Sequence, residues 1–120
     1  MEDLILFDSE YKLMEIVWDN EPIRSGDIVR ICLEKFDWKK STTYTVLKKL
    51  GEKGVLKNED AVVTSLIAKE QVQEIQSEQM VNKSFGGSLP AFVSAFLKNS
   101  SLTKEEAEEL MGLISEHIGE

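Results

Sequence analysis

The chain has 120 residues, 42% of them apolar and 30% charged, which fits one small folded domain, or a domain with an appendage, and excludes a disordered tail, a collagen and a disulfide scaffold. Its formal net charge of −8, taken as a whole, opposes a polyanionic partner. The single cysteine, Cys32, excludes an internal disulfide and a multi-cysteine metal site, and fits a reducing compartment.

Residues 1–7 read as a short lead-in. They lack the basic start and apolar run of a signal peptide, and no apolar stretch is long enough to span a membrane, so a cytoplasmic protein without membrane contact is expected. Asp8 reads as the N-cap of a first helix over 9–20, with Tyr11, Met14, Val17 and Trp18 on one stripe. Asn20-Glu21-Pro22 ends it, because proline cannot continue a helix. Ser25 reads as the cap of a second helix over 26–35, with Ile28, Ile31 and Cys32 turned inward. Phe36 and Trp38 anchor the connection to a third helix over about 41–53. Val46, Leu47 and Leu50 form its buried face and Gly54 its stop.

Beyond Gly54 the period shortens. Val55 and Leu56, a polar stretch over 57–60 and the β-branched run over 61–67 predict two short strands around a turn. A fourth helix is expected over 69–85 and a break at Gly86-Gly87-Ser88. A short apolar helix follows over 89–97, with Pro90 harmless in its first turn. Thr103 and Glu106 form a capping box for a last helix bearing Ala107, Leu110, Leu113, Ile114 and Ile118.

Three short helices followed by a hairpin describe a winged helix-turn-helix. The expected fold is therefore mainly α with a small β-hairpin: a winged helix over 1–68, then a helical dimerisation region over 69–120. The helices of the second region are too short to enclose their own apolar surface. Val72, Ile75, Phe85, Phe92, Phe96, Leu110, Leu113 and Ile114 are the candidate dimer contacts.

In a winged helix the third helix enters the DNA major groove. The charge distribution favours that use here. Residues 1–34 carry 3 basic and 9 acidic side chains, residues 35–57 carry 7 lysines against Asp37 and Glu52, and residues 58–120 carry 4 basic and 11 acidic side chains. The one basic block coincides with the third helix. Ser41, Thr42, Tyr44 and Thr45 offer hydroxyls at its start, and Lys39, Lys40, Lys48 and Lys49 offer cations to phosphates. These eight residues are the candidate DNA contacts. Lys53 belongs to the same block. The alternative is a winged-helix module that binds protein and not DNA, in which the hydroxyls are caps and the lysines a solvated face.

The run Ser9-Glu10-Tyr11-Lys12-Leu13-Met14 leads to Val17-Trp18. Ile28 and Trp38 follow, then Thr42-Thr43-Tyr44-Thr45-Val46-Leu47-Lys48-Lys49-Leu50 and Lys53-Gly54-Val55-Leu56. Together these resemble the penicillinase-repressor family of bacterial transcriptional regulators over residues 5–118. The resemblance implies a homodimeric repressor in which each winged helix reads one half of an inverted-repeat operator in double-stranded DNA. It assigns Ser41, Thr42, Tyr44, Thr45 and Lys49 to groove and backbone contacts. It also implies a regulatory protease acting in the fourth helix, where the pair matching the family's cleaved bond is Gln79-Met80. The sequence departs from the family at Lys39, where a serine cap is common, and in an acidic wing tip, Asn58-Glu59-Asp60. No cysteine follows Cys32, so the cysteine-rich metal motif of the family's copper-responsive branch is not found.

Other residues read as structural. Cys32 lies on an apolar helical face. His117, the single histidine, neighbours Glu116 without a catalytic partner. Glu105, Glu106, Glu108 and Glu109 suit a solvated helix start. Gly86-Gly87 lacks the lysine of a phosphate loop. No cofactor, metal or enzymatic activity is expected.

Overall fold

The computed structural model describes residues 5–118. The part of the expected lead-in before residue 5 lies outside the described residues. Within them the elements run α1 (Asp8–Asn20), β1 (Ile23–Arg24), α2 (Ser25–Phe36), α3 (Lys40–Glu52), β2 (Leu56–Glu59), β3 (Val62–Ser65), α4 (Lys69–Phe85), α5 (Leu89–Asn99) and α6 (Lys104–Glu116). The chain divides into two compact units, Met1–Glu78 and Gln79–Glu120, so the boundary falls inside α4 rather than near Ala68.

The core of the first unit follows from helical spacing. Leu13, Met14 and Val17 of α1, Ile28 and Cys32 of α2, and Leu50 of α3 are wholly enclosed, together with Val55 and Val63. Each such side chain contributes about 1.5–3 kcal/mol by leaving water.

Two helix starts differ from the sequence reading. Asp8 is the first helical residue of α1, not its cap, and pairs with Lys12 at 3.3 Å. Phe7 holds the cap position without an acceptor, and Glu10 closes the end by accepting the Phe7 N–H at 2.8 Å. Ser25 likewise begins α2, behind Arg24. The chain before it is already a strand, and the Ser25 N–H donates to Ala61 O at 2.9 Å.

That strand is the third of an antiparallel sheet ordered β1-β3-β2, where two strands were expected. Ile23 faces Val63 and Arg24 faces Val62. On the other side of β3, Glu59 pairs with Val62, leaving a two-residue turn. Asp60 and Ala61 both adopt left-handed backbone there, with φ of 54° and 64°. Such a turn matches the twist of the strands it joins, and normally takes Asn or Gly. Gly54, at φ 77°, supplies the same freedom after α3, where a side chain would be strained.

The first turns of α4 belong to the first unit. Val72 is enclosed in its core and Ile75 packs against it, so both expected dimer contacts are core residues here. α4 runs antiparallel to α1. Lys69 pairs with Glu15 at 3.5 Å, Gln73 meets the Tyr11 hydroxyl at 3.4 Å, and Gln76 Oε1 accepts the Leu6 N–H at 2.9 Å.

In the second unit, Gly86 and Gly87 at φ 58° and 83° break the chain after α4. Ser88 Oγ then caps α5 by accepting the Ala91 N–H at 3.1 Å. The Thr103–Glu106 capping box opens α6 as the sequence predicts. Phe92 stacks edge-on against Phe85 at 5.4 Å and lies 6.4 Å from Phe96. Yet no residue of α5 or α6 is buried. Phe96 remains 53% exposed, Leu113 49% and Ile114 60%.

Candidate nucleic-acid interface

α3 is built with two opposed faces. Thr43, Val46, Leu47 and Leu50 are buried against α1 and α2. The 3.6-residue period then turns Ser41, Thr45 and Lys48 directly outward, with Thr42 and Lys49 to one side and Lys40 and Tyr44 to the other. All eight candidate DNA residues, Lys39 to Ser41, Thr42, Tyr44, Thr45, Lys48 and Lys49, lie on or beside this exposed surface.

The start of α3 is open. Lys39 occupies the cap position and its side chain accepts nothing. The first N–H groups of the helix therefore keep no side-chain acceptor, and Lys39 and Lys40 stand beside them. Open amides, the positive end of the helix dipole and two ammonium groups together suit a phosphate oxygen. A serine cap would have consumed one of those amides.

Thr45 has a defined orientation. Its hydroxyl donates to Ser41 O at 2.9 Å, one turn back. The hydrogen is thereby committed to the helix, and the hydroxyl can only accept from outside. Thr45 thus offers acceptor lone pairs and a methyl group to a base edge, a combination suited to an amino group or a thymine methyl. Lys40 Nζ lies 5.9 Å from the centre of the Tyr44 ring, which keeps both side chains on one flank.

The basic block is smaller in space than in sequence. Lys53 turns inward, with Nζ 2.6 Å from Glu10 Oε1, and does not share the reading face. Lys57 pairs with Glu59 at 3.4 Å, both side chains more than half exposed. Such a pair is worth little and yields readily to a stronger anion. Lys39, Lys40, Lys48 and Lys49 make no ion pair among the described residues.

A groove of about 500 Å³ runs between α3 and the wing, lined by Tyr44, Lys48 and Gly51 on one side and by Lys57 and Asn58 on the other. Neither Lys57 nor Asn58 is among the eight candidate contacts, since the wing reads in sequence by its acidic tip. The signal was available, since Lys57 and Asn58 are the first outward residues of β2. The turn at Asp60 and Ala61 is instead tied back to the start of α2.

Cys32 is enclosed, and burial raises its thiol above the ordinary value; a hydrogen bond with the Thr43 side chain partly offsets this. The Thr43 hydroxyl finds no oxygen or nitrogen partner among the described residues. The pair therefore joins α2 to the buried side of α3 without offering a reactive group. Among the described residues no cluster of His, Cys, Asp or Glu is placed to hold a metal ion. His117 Nδ1 lies 2.8 Å from Leu113 O. No described helix is long and apolar enough to cross a membrane. Gln79 and Met80 lie inside α4, as the first residues of the second unit.

Comparison with known proteins agrees with the fold and with the resemblance read from the sequence. The chain is similar to a penicillinase repressor of Bacillus licheniformis, 28% identical over 114 residues that cover 92% of this chain and 89% of that one. It is also similar to an uncharacterized 16.5 kDa protein in the ptsI 3' region of Latilactobacillus sakei, 27% identical over 115 residues that cover 89% and 76% of the two chains. Residues 6–116 match the family described as penicillinase repressor, and the chain belongs to that family of transcriptional repressors.

Proposed function

We propose that this repressor acts as a homodimer that reads an inverted-repeat operator, one half-site for each copy of α3. The observation that carries the reading is the outward face of α3, where hydroxyls at Ser41, Thr42, Tyr44 and Thr45 sit among four lysines that make no ion pair among the described residues. Lys39, Lys40 and the open helix start bind phosphate; Lys48 and Lys49 bind the flanking backbone; Thr45 meets a base edge. Lys57 and Asn58 close the groove from the wing side.

The second unit supplies the dimer contact. Its helices leave Phe96, Leu110, Leu113 and Ile114 exposed, with Phe85 and Phe92 half-enclosed. An apolar surface of this kind is stabilised by about 25 cal/mol for each Å² removed from water, and a second copy offers the matching surface. Release follows from the same layout. The Gln79–Met80 bond lies at the very start of the second unit, so a regulatory protease that cut it would separate the reading unit from nearly all of the dimer unit and leave monomers with one half-site each.

Selection of bound duplexes from a random pool, using the full chain, tests this reading. The expected product is a pair of inverted half-sites whose centres lie about one helical turn, or a multiple of it, apart. Recovery of unrelated sequences without symmetry would overturn it.

A further inference from the structure

The first unit holds a charged centre that the reading face does not use. Lys53, directly after α3, places Nζ 2.6 Å from Glu10 Oε1 and 2.7 Å from Ile5 O, and 4.5 Å from the centre of the Phe7 ring. Glu10 Oε1 also accepts the Phe7 N–H at 2.8 Å. On the other side of the same short segment, the Leu6 N–H donates to Gln76 of α4 at 2.9 Å. Residues 5–7 are thus gripped at once by the end of α3 and by α4.

This arrangement is costly for stability alone. Glu10 is almost wholly buried, and its Oε2 has no partner among the described residues. Apolar side chains of the same shape would stabilise the joint as well or better. Apolar contacts, however, tolerate sliding, whereas an ion pair and three backbone hydrogen bonds hold only one geometry. The elements joined are α3, which carries the outward hydroxyls and lysines, and the first turns of α4, both within the first unit.

We infer that Lys53, Glu10 and Gln76 are positioning residues for operator recognition. Acting through the backbone of residues 5–7, they fix the angle at which the first turns of α4 lie against α3 within the first unit. In a dimer that angle bears on which half-site separation both copies tolerate. The inference rests on the DNA-reading homodimer proposed above. One base pair moves a half-site by about 3.4 Å and about 35° around the duplex, so a small change in this angle is legible as a change in spacing preference.

The test measures the affinity of the full chain for a single half-site, and for inverted repeats at the best spacing and at one base pair more or less. Gln76→Leu removes the acceptor for Leu6. The double variant Glu10→Gln/Lys53→Met removes both charges together. In each, discrimination between the best spacing and its neighbours should fall by about three- to tenfold, while half-site affinity stays within about twofold. Gln76→Glu still accepts the Leu6 N–H and should keep the wild-type discrimination. If the double variant fails to fold, Gln76→Leu carries the test, since it leaves the buried pair intact. An unchanged spacing profile in Gln76→Leu, or a Gln76→Glu variant that behaves like it, overturns the inference. A wild-type chain that binds its operator with no spacing preference also overturns it. A wild-type chain that prefers no duplex at all refutes the DNA reading itself, before any variant is made.

Discussion

Replacing Lys53 by Met should destabilise the first unit far more than an ordinary surface change. The substitution keeps most of the length of the side chain and deletes its charge. It leaves Glu10, a carboxylate whose side chain is 2% exposed, without its partner at 2.6 Å. Breaking a buried pair from one side typically costs about 3–5 kcal/mol. Two features reduce that here. The Lys53 side chain is 30% exposed, so water can reach the vacated position, and Glu10 keeps its bond from the Phe7 N–H. The expected loss is about 2–3 kcal/mol, part of it the Phe7 ring contact, which is worth about 0.5–1 kcal/mol. The melting midpoint of a domain this size should drop by about 8–20 °C. Urea unfolding followed by fluorescence is the assay, because Trp18 and Trp38 both lie in the first unit. Glu10→Gln/Lys53→Met, which removes the orphaned charge, should recover to within about 1 kcal/mol of the wild type. A loss below about 0.5 kcal/mol in Lys53→Met would refute the reasoning, placing the pair with ordinary surface ion pairs. A double variant as unstable as the single one would show that packing, not charge, sets the cost.

Three further outcomes follow from the same structure. Phe92→Ala and Phe96→Ala should each weaken the homodimer by about 3–5 kcal/mol where the ring is fully enclosed in the dimer; sedimentation decides, and variants that dimerise like the wild type would move the contact elsewhere. Thr45→Ala should weaken the best operator by about 1–3 kcal/mol and relax preference at one position, whereas Lys49→Ala should weaken all duplexes alike and lower the salt slope by about 1 per subunit; identical sequence preference in Thr45→Ala would remove Thr45 from the reading face. Ala61→Gly should raise stability by up to about 1 kcal/mol, because left-handed backbone costs a non-glycine residue about 1–2 kcal/mol and glycine returns part of that as chain entropy; a loss on chemical denaturation would mean that the turn is not strained.

The long periodic segments were legible. The stripe Val46, Leu47 and Leu50 is the buried face of α3, and α4 spans residues 69–85 as its pattern predicts. What the sequence hid were contacts between distant residues. Ile23–Arg24 is too short to show strand alternation, and exists as β1 only because β3 lies beside it. Asp8 and Ser25 have the chemistry of caps, but the extended chain ahead of them, and the claim of Ala61 on the Ser25 N–H, put each one position inside its helix. Val72 and Ile75 look like Phe92 and Phe96 by residue type. Only the seating of α4 on α1 distinguishes core from open face. Lys53 belongs to the basic block in sequence but not in space, because charge in sequence carries no direction and its partner Glu10 lies 43 positions away.

The dependence of operator affinity on salt tests the central claim most directly. In the proposed dimer, two copies of Lys39, Lys40, Lys48 and Lys49 would neutralise up to about eight phosphates, and each neutralised phosphate contributes about −0.9 to the slope of log affinity against log salt. The remainder of each chain is acidic, since the whole carries a net −8, and it releases no counterions from DNA. The account therefore predicts a linear plot with a slope of about −5 to −7 for the selected operator. A flat plot would contradict it, and would leave a winged-helix module that binds protein in place of DNA.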